Sequence, residues 1–552
     1  MMRKICLMGV LFVSTYAQCW SQKNIASKKP NIILILADDM GFSDLNCYGG
    51  VKTQTPNINK LASEGIRFTQ FYNNAWCSPT RASLLTGLYP QQVGMGQLAN
   101  AKEGPTGPYQ GYLSNNCVTL AEVLKLAGYN TLMSGKWHVG EAPSHWPIQR
   151  GFDHYFGLIS GAANYFDITK TKIDTSISKQ KLVRHMAIDG KPYFPPKKGF
   201  YMTQAITSHA LQMLDDYGQK DKPFFLYLAY TAPHWPLQAL PEDIARFKGA
   251  FNEGWDSLRE ERYLRQLRLG IIPDDRKLSP RDKEVPNWSS LSSKEQKEMA
   301  EKMAVYAAQI YRMDAGIGEV LQKLQSLRKE DNTIVIFMSD NGASAEGGIW
   351  GFDSRHNGLP AGGVDSYMSY GQSWANMSNT PFQYYKTWLH EGGISAPLIV
   401  KWPNVIAKKR DGSIIKQTPA LSGHVIDIMP TLCEIAGASY PKFYRGKKIL
   451  PLEGNSLLPI IKEDKKRDRL QPLYWALNGH KAMLMGNWKI VTAKMSAPWE
   501  LYNIQNDRSE LNNLAHKYPD KVKKMAAMWQ TWANRVGVFK GQENLWQSKG
   551  GE

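Results

Sequence analysis

The chain has 552 residues, more than one ordinary hydrophobic core organises, so two domains or one large domain with an appendage is expected. Apolar residues make up 43 % and charged residues 21 %, which fits a folded globular protein and excludes an extensively disordered chain. The net charge of +18 suits a surface that attracts polyanions, but no nucleic-acid-binding motif accompanies it, and nucleic acid is not an expected partner.

In chain order, the first feature is a processing segment. Met1-Met2-Arg3-Lys4 is a basic start, residues 5–13 are almost wholly apolar, and Ser14-Thr15-Tyr16-Ala17 supplies small residues for cleavage. That order predicts a cleavable secretory signal over residues 1–22 and an exported protein, periplasmic or secreted. Its apolar core is too short to span a bilayer, and no later stretch approaches ~18 consecutive apolar residues, so stable membrane insertion is not expected. Tyr16-Ala17-Gln18 is a poor lead-in to a lipidated Cys19, which argues against a lipid anchor. Beyond Cys6 and Cys19, the cysteines are Cys47, Cys77, Cys117 and Cys433, too scattered for a disulfide framework or a zinc site. Cys47 and Cys117 are read as small buried apolar residues rather than as a pair.

Asn31-Ile32-Ile33-Leu34-Ile35-Leu36-Ala37 is a continuous apolar run, the pattern of a strand buried on both faces. Similar runs recur at residues 223–230, 333–338 and 397–400, with helix-like segments between them at 120–126 and 306–324. Strands alternating with helices predict an α/β fold, a doubly wound, mostly parallel sheet flanked by helices. Residues 251–297, dense in charge and prolines, read as an excursion from that sheet. Residues 343–381, rich in Gly, Ser and Asn, read as a long loop of the kind that surrounds a site. After about residue 465 short strands at 473–477, 482–484 and 488–491, with turns at Asn478-Gly479 and Gly486-Asn487, predict an antiparallel meander covered by an amphipathic helix over 519–536. The expected division is a signal at 1–22, a catalytic domain at 23–465 and a smaller C-terminal α+β domain at 466–552.

Asp38-Asp39 follow the first buried strand directly, and Asp340-Asn341 follow the strand at 333–338 in the same way. The carboxyl ends of strands are where α/β domains place ligands. Each pair alone would more often be a cap or turn. Together they offer hard oxygen donors that suit Ca²⁺, or Mg²⁺, rather than zinc. Taken singly, His138 and His234 would more often be hydrogen-bonded structural residues, and Lys136 and Lys386 solvated ones.

The specific signal is Cys77-Ser78-Pro79-Thr80-Arg81-Ala82-Ser83-Leu84-Leu85-Thr86-Gly87. It resembles the signature of the type I sulfatases, alkaline-phosphatase-like enzymes in which a cysteine followed by x-Pro-x-Arg is oxidised to formylglycine (3-oxoalanine). The resemblance extends over nearly the whole mature chain. Residues 30–41 look like the family's first strand and metal ligands, Gly135-Lys136-Trp137-His138 like its Gly-Lys-Trp-His element, and Thr231-Ala232-Pro233-His234 like the segment with its second catalytic histidine. Ser339-Asp340-Asn341-Gly342 looks like its second metal pair. Lys386 precedes His390-Glu391-Gly392-Gly393 at the family's spacing, and Glu500-Leu501-Tyr502-Asn503 resembles its C-terminal strand. His390 is read as structural.

The resemblance implies a sulfuric ester hydrolase with one Ca²⁺ held by Asp38, Asp39, Asp340, Asn341 and position 77. Cys77 would be converted by a formylglycine-generating maturation enzyme and would pass through a sulfated intermediate. Arg81 would hold position 77, His234 with Lys386 would protonate the leaving oxygen or stabilise its charge, and His138 would take the proton of the second hydroxyl. Arg81, Lys136 and Lys386 together would supply positive charge suited to a sulfate ester. Export, basic charge and abundant aromatics favour a sulfated carbohydrate as substrate. Two other readings are a phosphomonoester or phosphonate hydrolase of the same superfamily, which would carry Ser or Thr at position 77 and ligands for a second metal, and a silent glycan-binding relative.

Overall fold

The Asn31–Ala37 strand is buried along its whole length because it lies inside a sheet that has ten strands among the described residues. The computed structural model describes residues 29–99, 103–171, 184–406, 414–415, 422–462, 469, 471–493 and 497–540. The expected signal at 1–22 lies outside them. From edge to edge the sheet runs Ile414–Ile415, Ile66–Phe68, Leu398–Lys401, Thr333–Ser339, Asn31–Ala37, Phe224–Ala229, Asn130–Gly135, His154–Leu158, Met186–Ile188 and Lys191–Tyr193. The central strands, Thr333–Ser339 through His154–Leu158, are parallel. Leu398–Lys401 and the last two strands are antiparallel to their neighbours. The fold is thus a mixed, mostly parallel α/β sheet with helices on both faces, as the apolar runs imply.

Successive strand residues point to opposite faces, so the first strand feeds two cores. Ile33 and Ile35 pack with Ile206, Met213, Met303, Ile310 and Ile317 from the helices Met202–Tyr217 and Ser293–Ser326. Ile32, Leu34 and Leu36 pack with Leu84, Leu85, Leu124 and Leu432 from the helices Cys77–Thr86, Leu120–Leu126 and Ile428–Ala436. Packing holds the strands between these helices, and their register decides where they stop. Ala37 sits opposite Ser339, Leu36 opposite Ala229, and Gly135 opposite Ala229, so four parallel strands end level with one another.

Three segments differ from expectation. The helix predicted at 306–324 begins much earlier, at Ser293, where Ser292 and Glu295 form a reciprocal cap that the charge density of the region hides. The excursion at 251–297 carries the helix Gly254–Arg268, whose Arg259 and Arg262 are buried. The loop at 343–381 ends in a fully buried helix, Gly371–Ser378. There Trp374 donates its indole N–H to the Met299 carbonyl (2.8 Å) and packs edge-on against Trp255. Among the described cysteines, Cys47, Cys77, Cys117 and Cys433 are all buried free thiols, so Cys47 and Cys117 do not pair. No helix among the described residues is long and apolar enough to cross a membrane.

The C-terminal strands Leu473–Leu477, His480–Met485, Trp488–Val491 and Glu500–Asn503 form an antiparallel sheet covered by the helix Pro519–Val536. Asn478 and Gly479 both take positive φ (47° and 83°), as the tight turn between the first two strands requires. This sheet shares a core with the residues flanking Cys77: Trp475 packs on Tyr72 and donates to the Asn73 carbonyl (2.7 Å). A buried charge network joins the same surfaces. Lys489 lies 3.0 Å from Glu391 and 2.8 Å from Glu510, and Arg508 donates to Glu391 at 2.8 Å. Burial opposes ionisation of Glu391, but Lys489 and Arg508 hold its carboxyl below the ordinary value.

Removing one partner of a buried charge cluster strands the rest. Lys489→Ala is expected to cost about 3–5 kcal/mol, read from denaturant unfolding. Lys297→Ala, at an exposed pair with Glu301, leaves the midpoint near that of wild type.

Candidate active site

The level strand ends deliver the predicted residues to one place. Asp38 and Asp39 follow the first strand, Asp340 and Asn341 follow Thr333–Ser339, Lys136 and His138 follow Asn130–Gly135, and His234 lies beyond Phe224–Ala229. Backbone bonds lock the ends together: Asp340 N–H donates to the Ala37 carbonyl (3.1 Å) and Asp38 N–H to that of Ala232 (3.0 Å). Asp39 and His138 sit at φ of 64° and 56°, a left-handed conformation that costs non-glycine residues energy and turns their side chains off the strand direction. Cys77 is the first residue of the helix Cys77–Thr86, every residue of which is buried, so position 77 faces the site from the positive end of a helix.

Three carboxylates converge there, each with its own cation. Lys136 Nζ donates to Asp38 Oδ2 at 2.6 Å, Arg81 Nη2 to Asp340 Oδ2 at 2.9 Å, and Lys386 Nζ to Asp39 Oδ2 at 2.9 Å. Arg81 Nη2 also lies 3.5 Å from Asp38 Oδ1, and its Nη1 donates to the Lys136 carbonyl. Asn341 Nδ2 donates to Asp39 Oδ1 at 2.6 Å, and the Cys77 Sγ stands 3.9 Å from the same oxygen. Burial pushes Asp340 up, reinforced by Asp38. Burial would raise Asp39 as well, but His234 and Lys386 beside it hold it well below the carboxylate range.

Both histidines are kept neutral by burial. His234 is lowered to about 4, against the pull of Asp39. Its Nδ1 lies 2.6 Å from the Trp235 carbonyl, which fixes the proton on Nδ1 and leaves Nε2 as the acceptor, 3.5 Å from Lys386 Nζ. His138 is pushed well below its ordinary value by burial and by Lys136 and Arg81. It makes no hydrogen bond through Nδ1. Its ring packs on Gly161, where a Cβ would fall 2.4 Å from Nε2. Burial also raises the Cys77 thiol well above its usual value.

All ten residues singled out in the sequence therefore surround one space. His390 does not join them: its Nε2 lies 3.0 Å from Glu500 Oε2, against the C-terminal sheet. Two features had no sequence signal. Glu346, from the loop at 343–381, reaches Lys386 Nζ at 2.8 Å. Behind the first strand end, Asp44 accepts from Gly41 N–H (2.9 Å), Arg262 (2.7 Å) and Tyr306 (2.7 Å), and so fixes the turn that carries Asp39.

The cluster suits a hard divalent cation. Ligand atoms of Asp38, Asp39, Cys77 and His234 all lie within 4.8 Å of one another. Asp38 Oδ1 and Asn341 Oδ1 are buried with no hydrogen-bond donor, the state in which oxygens meant for a cation are found. Carboxylate and amide oxygens outnumber the sulfur and nitrogen, as Ca²⁺ or Mg²⁺ requires.

Comparison with known proteins shows the family to which the chain belongs. Residues 30–438 match the family model described as Sulfatase, and residues 382–534 match one described as N-sulphoglucosamine sulphohydrolase, C-terminal. An arylsulfatase of Klebsiella aerogenes is 38 % identical over 78 % of this chain and 92 % of its own. The N-acetylgalactosamine-6-sulfatase of Homo sapiens is 29 % identical, covering 82 % and 69 %. Among solved structures, Ps i-CgsB in complex with k-i-k-neocarrahexaose superposes with a TM-score of 0.66 at 27 % identity, covering 91 % of this chain and 92 % of that one.

A chelator-treated sample titrated with Ca²⁺ is expected to gain about 2.7 kcal/mol of stability at a hundredfold excess over the dissociation constant, seen as a rise in Tm. Asp340→Asn, which removes a carboxylate from the cluster, is expected to lose most of that rise.

Proposed function

The chain belongs to the sulfatase family of sulfuric ester hydrolases, and on that premise we propose that it hydrolyses a sulfate monoester of a sugar, releasing alcohol and inorganic sulfate, with Cys77 matured to formylglycine. The observation that carries this reading is position 77 itself. The Cys-x-Pro-x-Arg cysteine stands at a helix N-terminus, 3.9 Å from Asp39, with Arg81, Lys136 and Lys386 around the same carboxylates.

Asp38, Asp39, Asp340, Asn341 and position 77 would hold Ca²⁺, with Mg²⁺ the other hard cation such a set accepts. His234 falls within the same cluster, but its Nε2 is 3.5 Å from the Lys386 ammonium, which disfavours a second cation there. When present, formylglycine supplies a hydrated aldehyde with two hydroxyls on one carbon, and the ion supplies positive charge beside it.

The remaining chemistry belongs to the chain's own side chains, which face a barrier they must lower by roughly 20 kcal/mol. Arg81, tied to Asp38 and Asp340, holds the base of position 77. Lys136 and Lys386 bring two fixed ammonium groups to a substrate that is anionic and gains charge at its leaving oxygen. Lys386 Nζ and His234 Nε2 form a donor–acceptor pair, so a proton can be held between them and passed to that oxygen. His138, neutral and unpartnered at Nδ1, is available to take a proton from position 77 when sulfate leaves.

A carbohydrate substrate is supported by the names of the human relative and of the neocarrahexaose complex, and by aromatic rings beside His234. Trp235, next to His234, packs against Phe352 and Tyr367. Cys77 is 2 % exposed, so the maturation enzyme would meet it before folding is complete. Residues 1–22 support export to the periplasm or medium.

Sulfate release from sulfated saccharides, followed by ion chromatography, tests the proposal. Cys77→Ala and Cys77→Ser are expected to fall to background, the serine because it offers one hydroxyl where two are needed. His234→Ala is expected to lose about 10²–10⁴-fold. Undiminished release by Cys77→Ala contradicts the mechanism.

A further inference from the structure

Glu346 works against the electrostatics of everything around it. Its Oε1 lies 2.8 Å from Lys386 Nζ, beside His234, where the leaving group of an anionic ester would sit. A carboxylate there weakens the attraction for sulfate, and the proton transfer between Lys386 and His234 does not use it. Lys386 does not need it as a counterion either, because Asp39 already supplies one at 2.9 Å.

The carboxylate is nevertheless held in place. The Glu346 carbonyl accepts from Ser369 Oγ at 2.6 Å, and Ser369 Oγ in turn accepts from Phe352 N–H at 3.0 Å. Gly347 follows at φ 96°, where a Cβ would lie 2.2 Å from Phe352 N. The backbone is therefore fixed while the side chain is 37 % exposed, against 3 % for Lys386. Of the two carboxylate oxygens, Oε1 is engaged by Lys386, and no hydrogen bond from a described residue reaches Oε2. A carboxylate only accepts hydrogen bonds, so what Oε2 can meet on its exposed side is a donor.

We propose that Glu346 is a specificity-determining residue: its free oxygen accepts a hydrogen bond from a hydroxyl or amide N–H of the leaving sugar. The site thereby prefers sulfate esters of donor-rich sugars and disfavours esters whose leaving group has no donor or carries a further anion at that point. This role rests on the chain being an active sulfatase. A site that hydrogen-bonds a substrate group discriminates strongly against analogues lacking it, because its own polar atom is otherwise left unpaired.

The test compares kcat/KM for monosulfated hexoses and N-acetylhexosamines with that for 4-methylumbelliferyl sulfate, an aryl ester without a donor beside the sulfate. Wild type, Glu346→Ala and Glu346→Gln are measured, with thermal midpoints to establish folding. The ratio of sugar to aryl kcat/KM is expected to fall about tenfold to a hundredfold in Glu346→Ala, chiefly through KM, and to be partly restored in Glu346→Gln. Equal losses on both substrate types would mean that Glu346 only positions Lys386, and would overturn the inference. So would a wild-type enzyme with no preference for any sugar ester over the aryl ester. Wild type inert towards every sulfate ester would instead sink the sulfatase reading beneath it.

Discussion

Asp38, Asp39 and Asp340 leave water together, and burying like charges costs several kcal/mol per ion unless opposite charge is fixed beside them. Much of the surrounding structure answers that cost. The parallel strands must end level so that their carboxylates meet. Arg81 must lie inside a fully buried helix to reach two of them, and Lys136 and Lys386 must each take one. The same three cations are what an anionic substrate would encounter. On the proposed reading, charge compensation in the resting protein and substrate attraction draw on one set of side chains.

The second consequence is that the site needs the C-terminal sheet. Lys386 comes from a segment in which Tyr384 and Thr387 take positive φ. A few residues on, Glu391 enters the network with Lys489, Arg508 and Glu510. The C-terminal strands therefore clamp the loop that brings Lys386 to Asp39, and Trp475 does the same on the Cys77 side through Asn73. The candidate site, assembled at the ends of one sheet, thus depends on another.

The sequence made some of this legible and concealed the rest for physical reasons. Parallel strands buried on both faces read as unbroken apolar runs, so Asn31–Ala37, Phe224–Ala229 and Thr333–Ser339 stand out, and so do the acidic residues that follow the first and third of them. The cysteine motif, the Lys-Trp-His and Pro-His elements and the spacing of Lys386 from His390-Glu391-Gly392-Gly393 carried the remaining candidate residues. Arg262 was hidden because a charge-dense stretch reads as surface, yet its partner Asp44 makes it a buried brace of the turn that carries Asp39. The helix Gly371–Ser378 was hidden because Ser, Gly and Asn read as loop, although its residues are all buried. Glu346 was invisible for a different reason: an acidic residue in a glycine-rich loop has no spacing that announces contact with a lysine forty residues away.

The proposed chemistry turns on what occupies position 77 in the active protein. Peptide mass spectrometry of the protein purified from its native host, on the tryptic fragment covering residues 68–81, decides it. A fragment lighter than the cysteine form by the difference between a thiomethyl side chain and an aldehyde, or the matching hydrate, is the predicted result. An unmodified Cys77 in a preparation that releases sulfate would contradict the central claim.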